Sequence, residues 1–141
     1  MLGQTGVHRL KTRPQFQAVL AGQTVSKTAH FALHCCSLDA KQLEKADAQV
    51  LFPQAGVWLG AMVPKRWARR AVTRNAIRRQ IYSVSAELEP RLAQCAHVVR
   101  LRSGFDRAKF ISASSDLLKS TVRLELQQLF ERAILSGVTA P

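Results

Sequence analysis

Hydrophobic positions along this chain change period several times, and each change predicts an element. Phe16, Val19 and Leu20 stand at i, i+3 and i+4, the spacing of one helical face. Thr12 before them, Pro14 near the first turn and Gly22 just beyond predict a short helix over Pro14–Ala21. From His30 to Ser37, Phe31, Leu33 and Cys35 alternate with Ala32, His34 and Cys36, which is a strand pattern. Gly56–Val63 (GVWLGAMV) is nearly continuous in apolar residues, so it predicts a central strand that Pro64 ends. A helix is expected from about Arg70, with no Gly or Pro to interrupt it and with Ile77, Ile81, Val84 and Leu88 as a narrow apolar stripe. Pro90 and the polar run to Gln94 break the chain before a third strand, Ala96–Arg102, which stops at Gly104. Ser112–Ala133 then reads as a long amphipathic helix whose stripe is Leu118, Val122, Leu126, Leu129, Phe130 and Ala133. Ser114 or Ser115 with Asp116 supplies its start signal.

The order helix, strands, helix, strand, helix predicts an α+β sandwich: one sheet with helices mainly on one face. A chain of 141 residues with 47% hydrophobic content fits a single domain with a normal core. That core spans about 8–133, with Leu38–Ala55 as a polar surface loop and 136–141 as a tail. Met1–Thr12 reads as an extended basic lead-in carrying His8, Arg9 and Lys11.

Charge then changes the picture. The 21 Lys and Arg residues face only 9 Asp and Glu, for a formal charge of +12. The excess concentrates in KRWARRAVTRNAIRR, which holds seven cations: Lys65, Arg66, Arg69, Arg70, Arg74, Arg78 and Arg79. No acid lies between Asp47 and Glu87. At about 100° per residue, Arg74, Asn75, Arg78, Arg79 and Tyr82 share a broad arc beside the apolar stripe. The helix can therefore bury one stripe and present a row of planar guanidinium forks, which suit phosphates. A strand that delivers this segment within a few residues places Lys65–Arg70 at the sheet edge. A polyanionic partner follows, and RNA or DNA is the expected class. Phe16 is read either as core or as a ring at a groove mouth that stacks on a base.

Other chemistry finds little support. There is no G-x-x-x-x-G-K-[ST] or G-x-G-x-x-G loop, and the acids are too scattered for a protein-held two-metal site. Cys35, Cys36 and Cys95 lack C-x-x-C spacing and read as reduced, buried or half-buried thiols of a cytosolic protein. His30 and His34 beside Cys35 and Cys36 lack a second ligand pair and are better read as strand residues than as metal ligands. A membrane surface competes weakly, because the basic helix has only a narrow apolar stripe and no long apolar run or signal peptide is visible. A DNA-binding helix protein would want a short partner helix before the basic one. A ribosomal or RNA-assembly protein that uses the same basic helix on structured RNA is the alternative function.

The residues also carry a resemblance. Pro64–Arg79 (PKRWARRAVTRNAIRR) is similar to the signature of the bacterial ribonuclease P protein subunit. That pattern has a strand, a basic pair, Arg/Asn-Ala and then R-N-R-[IV]-K-R on a helix. Here Gly60–Val63 ends the strand and Lys65 and Arg66 form the pair. Arg70-Ala71 precede Arg74-Asn75, and Ile77, Arg78 and Arg79 complete the match. Arg9–Leu20 (RLKTRPQFQAVL) resembles the family opening, and His30–His34 matches its strand. Ala76, Tyr82 and Ser83 depart from the motif, and the loop from Leu38 to Ala55 is longer than usual.

The resemblance implies one central mixed sheet of a type shared with a ribosomal protein domain, with a left-handed β-α-β crossover. It implies a cytoplasmic ribonucleoprotein endoribonuclease in which the RNA subunit, with magnesium, removes the 5′ leader of precursor tRNA. The protein would act as a monomer in a one-to-one complex, hold no cofactor or metal itself and carry no catalytic residue. Lys65, Arg66, Arg69, Arg70, Arg74, Asn75, Arg78 and Arg79 would face RNA. Phe16, Leu20, Phe31, His34, Arg9 and Lys11 would line or support a leader cleft between the first helix and the sheet.

Overall fold

The computed structural model describes residues 7–38, 52, 56–105 and 116–136. Among these residues, five strands and three α-helices follow one another: β1 (His8–Arg9), α1 (Arg13–Leu20), β2 (Gln23–Lys27), β3 (Phe31–Cys36), β4 (Trp58–Met62), α2 (Ala71–Leu88), β5 (Ala96–Leu101) and α3 (Asp116–Ser136). A single 3₁₀ turn, Glu89–Arg91, closes α2 where Pro90 stops the helix. The sheet order is β1-β4-β5-β3-β2. The pairs β1·β4 and β4·β5 are parallel, while β5·β3 and β3·β2 are antiparallel. β4 and β5 are thus parallel neighbours joined through α2, the β-α-β unit the resemblance implies.

The three strands read from the sequence are the three interior ones. Their apolar runs are nearly continuous because both faces are covered. One face bears Phe31, Leu33, Leu59, Val99 and Leu101 beneath Ile77, Ile81 and Val84 of α2 and the stripe of α3. The other bears Trp58, Ala96 and Val98 beneath Val19 of α1 and Leu10. The helices lie mainly on one face, as expected: α2 and α3 cover one side, and α1 covers the other. All six stripe residues predicted for α3 are buried, and each of the five larger than alanine contributes ~1.5–3 kcal/mol relative to exposure. Its proposed start signal at Ser114 or Ser115 and the tail lie outside the described residues, as does nearly all of the 38–55 loop. Of that loop, Phe52 is buried with its ring edge-on to Trp58.

β1 and β2 are sheet elements that hydrophobic pattern does not reveal. β1 is two residues long and joins the sheet through backbone bonds from His8 N to Val57 O (2.8 Å) and Leu10 N to Leu59 O (2.9 Å). β2 (QTVSK) has one apolar residue and a register shift between Thr24 and Ser26. Its position comes from pairing with β3 and from α3. Glu125 of α3 accepts from Thr28 Oγ1 (2.6 Å) and His30 N (2.6 Å), and its other oxygen meets His30 Nδ1 (2.8 Å). Arg132 donates to Lys27 O (2.8 Å). One buried-side carboxylate thus ties the β2–β3 turn to the far helix.

α1 starts where the sequence places it. Thr12 Oγ1 accepts from Gln15 N, and the Gln15 side chain accepts from Thr12 N (3.0 Å), a reciprocal capping box. Its seat on the sheet depends on Gly60. A Cβ there would lie 2.6 Å from Phe16 Cε1 and 2.8 Å from Leu10 Cδ1, so any larger residue would push the Phe16 ring and Leu10 off the strand.

Candidate nucleic-acid interface

The basic segment folds as the pattern predicts. β4 ends at Met62, a turn follows at 65–67, and α2 runs from Ala71 with Arg70 as its extended N-cap residue. Ile77, Ile81 and Val84 are buried, joined by Ser85, whose hydroxyl donates to Tyr82 O (2.9 Å). Lys65, Arg66, Arg69, Arg70, Asn75 and Arg79 are exposed, and Arg74 and Arg78 are half-buried. The two ion pairs among the described residues engage His30 and Arg123, and neither uses any of the seven cations. The first turn of α2 contains no acid, so these cations crowd the positive end of the helix dipole. That arrangement repels itself in the free protein and is relieved by an anionic partner.

The cations differ in what they do locally. Arg74 donates from one nitrogen to Ala68 O (3.1 Å) and Arg69 O (2.8 Å), pinning the preceding turn to the helix. Arg78 donates to Asn75 Oδ1 (3.2 Å), which orients that amide along the same face. Arg66 lies over the ring of Trp67, 5.5 Å from its centroid, and Trp67 is 37% exposed. The sequence reading passed over Trp67, although an aromatic inside a cationic run is a stacking signal in its own right. Gly104, after β5, packs against this turn: a Cβ there would lie 3.0 Å from Trp67 O.

On the α1 side, Phe16 and Leu20 are half-buried along one edge of the helix, and Met62 contributes from β4. His34 is nearly buried beneath them and holds a neighbour the sequence reading missed. Arg100 Nε donates to His34 Nε2 (3.2 Å), so that nitrogen keeps its lone pair and the ring proton sits on Nδ1, donating to Thr24 Oγ1 (3.0 Å). A neutral His34 thereby orients a guanidinium on the sheet face. The signal was present in VVRLR, where a charge interrupts an otherwise apolar strand. Register connects this face to the basic turn, since Arg100 pairs with Met62 and Lys65 follows three residues later.

Two expected cleft residues lie elsewhere. Phe31 is fully buried on the opposite face of the sheet, in the core under α2 and α3. Strand alternation sends its ring away from α1 while its neighbour Ala32 faces the other way. Arg9 also turns from α1: its guanidinium stands 4.0 Å from the centroid of the Tyr82 ring on α2. Leu10 takes the α1 side instead, one residue on. Lys11 is exposed immediately before α1.

Burial, followed by the positive charges of Arg100 and Lys27, holds His34 below the ordinary imidazole range. Burial does the same to His97, whose Nδ1 faces Trp58 O (3.2 Å). Both rings are bases that the fold keeps neutral, so the unfolded chain binds more protons below its own histidine value of about 6.5. Stability is expected to be flat above that pH and to fall from pH 7 to 5. Thermal melts across that range check this, and an unchanged Tm at pH 5 and 7 contradicts it.

The cysteines are free thiols, Cys35 buried and Cys36 and Cys95 half-buried. Burial and the neighbouring Cys35 push Cys36 up to about 11. Among the described residues no group of three or more His, Cys, Asp or Glu could hold a metal ion. None of the helices described is long and apolar enough to cross a membrane.

Comparison with known proteins agrees with this geometry. A family model described as Ribonuclease P matches residues 5–133. A protein of Bordetella parapertussis named ribonuclease P protein component is 33% identical over 124 residues, covering 88% of this chain and 89% of that one. A namesake from Ralstonia pickettii is 29% identical over 125 residues, covering 89% of this chain and 78% of the relative. The solved structure of the Staphylococcus aureus RNase P protein superposes with a TM-score of 0.64 at 19% identity, over 94% of this chain and 98% of that one, a likeness of fold. With the family pattern covering most of the chain and its basic motif laid out on β4, the turn and α2, the chain belongs to the ribonuclease P protein family.

Proposed function

We propose that this chain is the protein subunit of ribonuclease P, which binds the 5′ leader of precursor tRNA and the catalytic RNA and assists removal of the leader. The observation that carries the reading is the placement of the family's basic motif. Its cations lie on one turn and one helix face, without an acidic ion-pair partner among the described residues, and the register of β4 and β5 joins them to the sheet face under α1. In this reading the guanidinium forks of Arg70, Arg78 and Arg79 contact the RNA subunit. Arg100, Phe16 and Leu20 meet the single-stranded leader.

The chemistry suits such a ligand. A leader varies in sequence but always offers phosphates and base faces. Each base stacked on an aromatic contributes ~1–3 kcal/mol without requiring a given sequence. Phe16 supplies a partly accessible ring, and Arg100 supplies a fork held in place by a neutral imidazole. Hydrolysis is assigned to the RNA subunit, and magnesium is assigned to the two RNAs. The described side chains offer no cluster of carboxylates, histidines or thiols that could hold this ion. Cations beside two polyanions lower their mutual repulsion, so less magnesium is needed when the protein is bound.

The test is cleavage of 5′-labelled precursor tRNA at low magnesium by a bacterial ribonuclease P RNA with and without the protein. Cleavage that requires both components supports the reading. Cleavage by the protein alone overturns the assignment of catalysis to RNA. Tight RNA binding without stimulation replaces the reading with that of an RNA-assembly protein.

A further inference from the structure

We propose that Arg9, held on the ring of Tyr82, is a phosphate-binding group that carries the guanidinium row of α2 across onto strand β1; this rests on the ribonuclease P reading. Arg78 and Tyr82 are one helical turn apart, on the arc that also holds Arg74, and successive turns are about 5.4 Å apart. The row has no cation of its own at position 82. Arg9 supplies one there from a different element, its guanidinium carbon 4.0 Å from the Tyr82 centroid.

Both partners are fixed before any ligand arrives. The backbone on either side of Arg9 is tied to β4 by the bonds from His8 N and Leu10 N. Tyr82 is half-buried, packed against the core that underlies α2. Stacking uses the face of the guanidinium, whereas phosphate recognition uses the N–H donors in its plane. The contact with Tyr82 therefore orients Arg9 and leaves its donors available. Arg9 is solvent-exposed, and no acid forms an ion pair with it among the described residues. A cation so held and so placed suits the next phosphate of the strand that Arg78 contacts. Tyr82 is then a positioning residue for Arg9.

The experiment measures binding of the full-length protein to a bacterial ribonuclease P RNA over a range of salt, with circular dichroism melts in parallel. Arg9→Ala is expected to weaken binding about tenfold, the loss of one charge-assisted contact. It is also expected to reduce the slope of log affinity against log salt by roughly 0.7–0.9. Tyr82→Phe keeps the stacking face and is expected to match the parent protein. Tyr82→Leu is expected to weaken binding several-fold while the melt stays cooperative, and Arg9→Ala added to it is expected to cost little more, since an unpositioned Arg9 has less to lose. If Arg79→Ala reduces affinity and salt slope but Arg9→Ala does not, the inference is overturned and the ribonuclease P reading stands. If neither matters, both are overturned. If Arg9→Ala costs as much in the Tyr82→Leu background as alone, Arg9 binds without help from Tyr82, and the positioning role is overturned.

Discussion

Replacing Arg70, Arg78 and Arg79 together with alanine is expected to weaken binding of ribonuclease P RNA at least about a thousandfold, with little change in melting temperature. The size follows from three hydrogen-bonded charge contacts at about 1.5–3 kcal/mol each. Salt dependence is the sharper readout, because three fewer neutralised phosphates lower the slope by roughly 2–3 log units per tenfold salt. The fold should tolerate the change. Arg70 and Arg79 are exposed, and among the described residues the half-buried Arg78 donates to its neighbour Asn75. Exposed substitutions of this kind usually move stability by within about 0.5 kcal/mol. Arg74 is left out deliberately, since it bonds Ala68 O and Arg69 O and its loss loosens the turn as well as the interface. Parallel salt titrations and thermal melts separate the two effects. A triple variant that melts far earlier, or that binds with the parent's salt slope, contradicts the assignment of these cations to RNA.

Phe31→Ala is expected to destabilise the protein by ~3–5 kcal/mol, a large share of the roughly 5–15 kcal/mol that holds a domain together. Phe31 is fully buried among Leu33, Leu101 and the α3 stripe, so alanine leaves a cavity that packed neighbours cannot collapse into. Phe16→Ala is expected to cost less stability and to weaken binding of a single-stranded leader oligonucleotide instead. Its ring is half-buried over Gly60, with one edge available to a base. Denaturant unfolding and leader-binding titrations on both variants check this. The reverse order, with Phe16 the more destabilising and Phe31 the more damaging to binding, would place the ligand on the wrong face of the sheet.

These two phenylalanines also show how far a sequence carries. Both look alike along the chain: an aromatic at the apolar phase of a short element, matching a family motif. The α3 stripe was legible in full because six apolar residues repeat at helical spacing and only one face can be buried. α2 was legible because its cations and its apolar stripe occupy separate arcs. β2 was not, because QTVSK offers one apolar residue and its strand conformation comes from pairing with β3 and from the grip of Glu125 on the adjoining turn. Arg100 was visible as a charge within an apolar strand, yet its partner His34 lies 66 residues earlier.

Sequence alone thus determined which segments are helix and interior strand, where the cations concentrate and which family the basic motif resembles. Those properties depend on neighbours within a few residues, where periodicity and charge density act. Tertiary structure decided which side of the sheet each residue serves. α1 covers the face opposite α2 because Trp58, Ala96 and Val98 make that side of the interior strands apolar as well, and such a face is not left in water. A shift of one position along a strand reverses a side chain's direction, so Arg9 meets Tyr82 on α2 while Leu10 lies with α1. Only the pairing of strands distant in the chain sets that register.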